Sequence, residues 1–196
     1  MKTGSRLLAA LLLLGVAACA QPPVPQDRYY RVQVEAPQAG AQKLNGVVEL
    51  DRLGAEGLIS GRAIVYTEAS STNLAQEFFY DFWVEPPGDM LRDSLIKYLR
   101  SAGVAKALVT PDSRAASDFT LVGRINRLEM VRGNAPLGVA EIEFSLTRSS
   151  TGTLLMVQNY LATVEAANDS VPAGVAAINK GVAQIFGQLM ADLRKL

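Results

Sequence analysis

Histidine is absent from this 196-residue sequence, and cysteine occurs once, at Cys19. Without an imidazole there is no Ser-His-Asp triad, no histidine general base and no His-containing metal site. A single thiol excludes an intrachain disulfide and a Cys cluster for zinc or iron–sulfur. Excess charge of either sign is also missing, because 19 basic residues balance 19 acidic ones. The basic stripe that a nucleic-acid-binding protein normally carries is therefore lacking. No G-x-x-x-x-G-K-[ST] loop is present to cradle nucleotide phosphates. What the chain does have is apolar residues, 49% hydrophobic against 19% charged. That is the composition of a chain with a packed core, and its length suits one domain.

The first residues form an address label. Lys2 and Arg6 make a positive start, and Leu7 to Leu14 make an apolar run that is too short to span a bilayer. The run ends in Val16-Ala17-Ala18-Cys19, which resembles a bacterial lipobox: a branched residue, two small ones, then the Cys that is acylated after cleavage. The expected division is a signal peptide over 1–18, a lipidated Cys19 with a Pro-rich linker over 19–28, and a domain over 29–196. An incidental thiol in a simple signal peptide is the bland alternative. Ala20 follows the Cys, where Asp would be the familiar inner-membrane retention signal. Its absence favours the inner leaflet of the outer membrane. Pro22, Pro23 and Pro25 stiffen the linker, so an extended tether of roughly 30 Å separates lipid from domain.

Period-two patterns predict strands at Tyr29–Val34, Val47–Leu50, Arg62–Thr67, Leu74–Val84, Ala107–Val109, Ser117–Val131, Ala140–Thr147 and Leu154–Val164. In the long strand after Ser117 the apolar residues change from odd to even positions near Asn126-Arg127, which predicts a β-bulge. The last three strands should form an antiparallel meander. Pro86-Pro87-Gly88 starts a helix that Gly103 ends. A second helix runs from about Pro172 to Leu196 with an apolar stripe for core packing. The expected class is α+β: a single domain, mainly antiparallel sheet, with two amphipathic helices packed on it.

Chemical motifs are few. Ser94-Leu95-Ile96-Lys97 matches the S-x-x-K of penicillin-binding enzymes, but the accompanying motifs are missing, so both residues read as solvated helix positions. Glu141 and Glu143 share a strand face, as expected of any solvent-facing strand. Asn168-Asp169-Ser170 fits a glycosylation pattern that has no meaning in a bacterial lipoprotein. The run Phe78-Phe79-Tyr80-Asp81-Phe82-Trp83 is more informative. Alternation would put Phe79 and Trp83 on one face and the other three aromatics on the opposite face. Either this is a central strand buried on both sides, or Phe79 and Trp83 contact a partner or an acyl chain.

Val48 to Tyr66, followed by Phe82-Trp83-Val84-Glu85-Pro86-Pro87 and Leu91, Leu95 and Leu99, resembles the ABC-type transport auxiliary lipoproteins, which include paraquat-inducible-C-type membrane-integrity subunits. Phe82 departs from the family pattern, where a basic residue is common. The resemblance implies a non-enzymatic, lipid-anchored subunit without cofactors. Its implied partners are a periplasmic protein with MCE domains and the ABC permease and ATPase, in a system that moves phospholipid or other hydrophobic molecules between membranes. The subunit would dock the periplasmic component or hand over lipid. The rival reading is an outer-membrane assembly lipoprotein with a β-barrel partner, as in lipopolysaccharide insertion. A periplasmic hydrolase would need a nucleophile–base pair that the sequence does not display.

Overall fold

The structure is a computed structural model, and it describes residues 24–40 and 44–196. The leader, Cys19 and residues 20–23 of the Pro-rich linker lie outside the described residues. Among the described residues, nine strands form one mixed sheet around a central strand β7 (Phe119–Arg132). On one side β7 pairs antiparallel with β8 (Leu137–Arg148), which pairs antiparallel with β9 (Thr153–Glu165). This is the expected meander. Gly152, at φ 66°, turns the chain between β8 and β9, a conformation glycine adopts without a Cβ penalty.

On its other side β7 takes three short strands in succession, all parallel to it. They are β2 (Leu44–Leu50), β3 (Gly54–Ala55) and β4 (Ala63–Glu68). Beyond β4 lies the antiparallel β5 (Ser71–Trp83), then β1 (Arg28–Tyr30), which runs parallel to β5. Beyond β2 lies the parallel β6 (Ala105–Val109). The long ladders are thus antiparallel, and the parallel pairs join short segments. The bulge expected near Asn126-Arg127 is present, as the β7–β8 register shifts between Ile125 and Arg127.

Helix α1 (Pro87–Ala102) begins with Pro87 in its first turn and ends at Gly103, whose φ of 65° lets its N–H reach Leu99 O. Helix α2 (Val171–Leu193) is capped by Ser170 Oγ, which accepts from Ala173 N at 3.4 Å. The sequence that resembled a glycosylation site is thus a helix cap. Tyr98 of α1 meets Phe186 of α2 at 5.6 Å between ring centroids, and both helices feed one core with Leu91, Leu95, Ile142, Phe144, Ile178 and Leu189. The helices share this core with the inner side of the sheet, so the α+β class holds.

Three expectations change. The first strand is only three residues long. Residues 31–36 leave the sheet and cross the helices as an extended strap, because Val32 packs into the helix layer and its N–H meets Met90 Sδ at 3.4 Å. The strand containing the aromatic run is not central. β5 pairs with β4, and with β1 only from Asp81 onward. Leu196 is excluded from the stripe, since α2 ends at Leu193 and Leu196 is exposed.

The end of α2 is fastened by charge. Tyr160 donates to Asp192 Oδ2 at 2.8 Å, and Lys195 Nζ donates to Asp192 Oδ1 at 2.6 Å. The bonds from Lys195 and then Tyr160 hold the Asp192 carboxyl below its ordinary range, while burial, followed by the Asp192 bond, pushes the Tyr160 hydroxyl up. A carboxyl whose folded pKa is lowered stabilises the fold above its unfolded pKa of about 3.9, and that stabilisation is lost as pH falls through the folded value. Denaturant titrations of the wild type and Asp192→Asn are therefore expected to differ at pH 7 and to converge as pH falls below about 4.

Candidate interaction surface

The strap and the two helices enclose an open groove. Its volume is about 530 Å³, and its walls include Val34, Glu35, Ser94, Lys97, Tyr98 and Asn179. A second hollow of about 470 Å³ continues it past Tyr30, Val84 and Pro172. Asn179 spans both hollows. Its Nδ2 donates to Arg31 O at 3.4 Å, while its Oδ1 is buried with no hydrogen-bond partner. Lys97 is exposed and Ser94 half-buried on this wall, consistent with solvated helix positions. The acidic strand pair faces solvent as expected: Glu143 is exposed, and Glu141 accepts from Asn159 Nδ2 at 2.7 Å. Among the described residues no group of three or more His, Cys, Asp or Glu could hold a metal ion. No helix among them is long and apolar enough to cross a membrane.

The aromatic strand forms the second feature. Ala63 lies opposite Phe82, whereas Val65 lies opposite Glu77, so residues 78–81 bulge out of the ladder. Inward anchors hold this bulge at both ends. At one end Phe78 packs on Tyr66 at 4.4 Å, and the Arg132 guanidinium lies 5.7 Å from the Phe78 ring. Arg132 is itself held by Asp169 at 2.9 Å and Glu68 at 3.3 Å. At the other end Asp81, only 3% exposed, accepts from Arg28 Nη2 at 2.7 Å and Tyr30 Oη at 2.9 Å. Burial, together with the bond to Asp81, raises the Tyr30 hydroxyl above its ordinary value. This triad locks β1 to β5, and its one sequence signal was a single acid inside an aromatic run.

Between those anchors Phe79 and Tyr80 turn outward, with Phe79 87% exposed. Trp83 is 1% exposed and belongs to the core. The expectation that Phe79 and Trp83 share a face is therefore corrected, because the bulge breaks the alternation between them. Trp83 presents no surface to a partner. Of the predicted contact pair, Phe79 alone is accessible. The strap groove and the Asp81 triad were not foreseen from the sequence, since the first depends on the strap leaving the sheet and the second on β1 pairing with β5.

Solved structures share this fold. A Xanthomonas campestris protein of a family of unknown function superposes with a TM-score of 0.74 at 19% identity, covering 83% of this chain and 92% of its own. A second crystal structure, of an uncharacterized protein, gives 0.68 at 17% identity over 86% and 99%. A hypothetical protein of Chlamydia trachomatis gives 0.51 at 9% identity over 78% and 99%. At such identities these likenesses establish the fold alone. No curated protein matches the chain. The model of the family described as the ABC-type transport auxiliary lipoprotein component matches residues 30–190, which takes in every element from β2 to α2 apart from its last turn. By that match, the chain belongs to the ABC-type transport auxiliary lipoproteins.

Proposed function

We propose that this protein is the lipid-anchored accessory subunit of an ABC transport system whose periplasmic component carries MCE domains. Cys19 is the acylated residue, and the inner leaflet of the outer membrane is its site. The subunit catalyses no reaction. It docks the periplasmic component at that membrane, or passes phospholipid or another hydrophobic molecule to it. The observation that carries the reading is the family match over residues 30–190. It is supported by a chain in which a lipobox-like Val16-Ala17-Ala18-Cys19 and a Pro-rich stretch precede that region.

Crosslinking the full-length lipoprotein in intact cells, followed by capture and mass spectrometry, tests it. The expected result is co-recovery of an MCE-domain protein with its permease and ATPase. Recovery of a β-barrel assembly protein without any MCE protein overturns the reading and favours an outer-membrane assembly role. Lipid extraction from the purified protein then separates docking from direct lipid handling: stoichiometric phospholipid marks handover, and its absence marks docking.

A further inference from the structure

We propose that the Phe79–Tyr80 bulge is a second, non-covalent membrane anchor, which inserts into the lipid headgroup region beside the tether and sets which end of the domain faces the bilayer. The inference rests on the lipid-anchored reading above, and it adds an orientation to it.

The direction of the chain argues first. β1 runs parallel to β5, with Arg28 beside Asp81 and Tyr30 beside Trp83. Traced backwards from Arg28, the chain therefore heads the same way as Tyr80 and Phe79. Asp27 still lies along that path, as it lines one hollow with Tyr29, Glu77 and Phe82. From Cys19 to Asp27 the chain reaches at most about 29 Å when fully extended. A lipid on Cys19 thus keeps this flank of the domain within one tether length of the bilayer, and insertion of the bulge requires the linker to lie along the surface in place of the stand-off its prolines suggest. The opposite end is marked by the β8–β9 turn. β7 begins at Phe119 opposite Arg148, next to that turn, and ends at Arg132 opposite Glu68, next to Ser71 of β5.

The chemistry of the flank argues second. Phe79 is 87% exposed, and its neighbour Tyr80 in the bulge is 44% exposed. Adjacent exposed rings of this kind are the feature that an interaction surface needs. Phe and Tyr rings suit the headgroup boundary, where one part of the side chain is apolar and the other is wet. β5 carries two acids, and Asp81 is turned inward to Arg28. That leaves Glu77 as the exposed charge on the strand, with Asp27 and Arg28 exposed beside it on β1's side. The anchors at Phe78 and Asp81 fix the bulge outward without disturbing the core.

The test uses the full-length lipidated protein in proteoliposomes of phosphatidylethanolamine and brominated phosphatidylcholine. Phe79→Trp reports at the bulge, and Ser150→Trp reports at the far turn, where Ser150 is exposed. The native Trp83, 1% exposed, gives the same background in both. After that background is subtracted, the inference expects bromine to quench the emission of the Phe79→Trp variant by about half or more, as for a ring at headgroup depth. The emission of the Ser150→Trp variant should be unchanged. Circular dichroism checks that both variants fold. Acylated protein that floats with vesicles but shows no quenching in the Phe79→Trp variant, or equal quenching in the two variants, overturns the bulge anchor and leaves the lipid anchor standing. Protein without an acyl mass on Cys19, which does not float, overturns both. A photoreactive residue at position 79 in cells should label lipid, and a protein adduct in its place overturns membrane contact in favour of a protein partner.

Discussion

Trp83→Ala is expected to lower the free energy of unfolding by about 3–5 kcal/mol, while Phe79→Ala leaves it within about 0.5 kcal/mol. The two residues lie four positions apart in one aromatic run, so the contrast isolates environment from residue type. Trp83 is among the largest fully buried side chains and belongs to the core cluster, so Ala at that position leaves a cavity that the surrounding core closes only in part. Its backbone is also committed, as its N–H donates to Arg62 O at 2.7 Å and its carbonyl accepts from Arg62 Nε at 3.1 Å. Those bonds should survive truncation, so the loss is mainly one of packing. Against a typical stability of about 5–15 kcal/mol, such a loss is severe. Urea titration followed by circular dichroism measures it without the tryptophan signal. A cost below about 1 kcal/mol at Trp83 would mean that the side chain is not a core residue. Phe79→Ala exposes no core, since its ring is 87% exposed.

Gly138→Val should be comparably damaging, costing about 3 kcal/mol or more. Gly138 lies on β8 where α2 crosses closely over it. A Cβ there would sit 2.5 Å from Ile178 N and 2.7 Å from Ala177 C. Both are helix backbone atoms, so no side chain can rotate away and α2 itself must lift. Lifting it opens gaps around Ile178, Val182 and Ile185, all fully buried, and packing attraction falls quickly with such gaps. Two other glycines serve as controls. At Gly174 a Cβ would meet the flexible end of Met130, which can move, so Gly174→Ala should cost less. At Gly152 nothing lies within 4 Å, but φ is +66°, so Gly152→Ala should show only the backbone penalty of about 1–2 kcal/mol. Thermal or urea unfolding of the three variants gives the order. If Gly138→Val is no worse than Gly152→Ala, the close approach of α2 to β8 is wrong.

Much of the fold was legible because its signals are local. The α1 boundaries follow from Pro87 in the first turn and Gly103 beyond the last, each acting through its own backbone. The β7 bulge was visible as a one-residue change of phase, because a strand's two faces are fixed by a period of two. The meander followed from short turns between long alternating strands. The lipobox-like segment is likewise a property of consecutive residues.

Elsewhere the decisive partners are distant in sequence. Val32 and Val34 alternate like strand residues, yet they cover helices, because a period of two reports an extended backbone and not what lies beneath it. The strap groove follows from that placement and had no motif of its own. The run from Phe78 to Trp83 carries no mark of a break in the sequence, but the β4 register inserts a bulge into it. Which aromatic is buried was settled by Tyr66 and Arg132 on one side and Arg28 and Tyr30 on the other. Composition and local patterning determined that this chain is a packed α+β domain without imidazole or paired thiols. Tertiary structure decided that Trp83 serves the core and Phe79 the surface. Burial there depends on partners far away in the chain, such as Arg28 and Tyr30 for Asp81, and no local pattern encodes them.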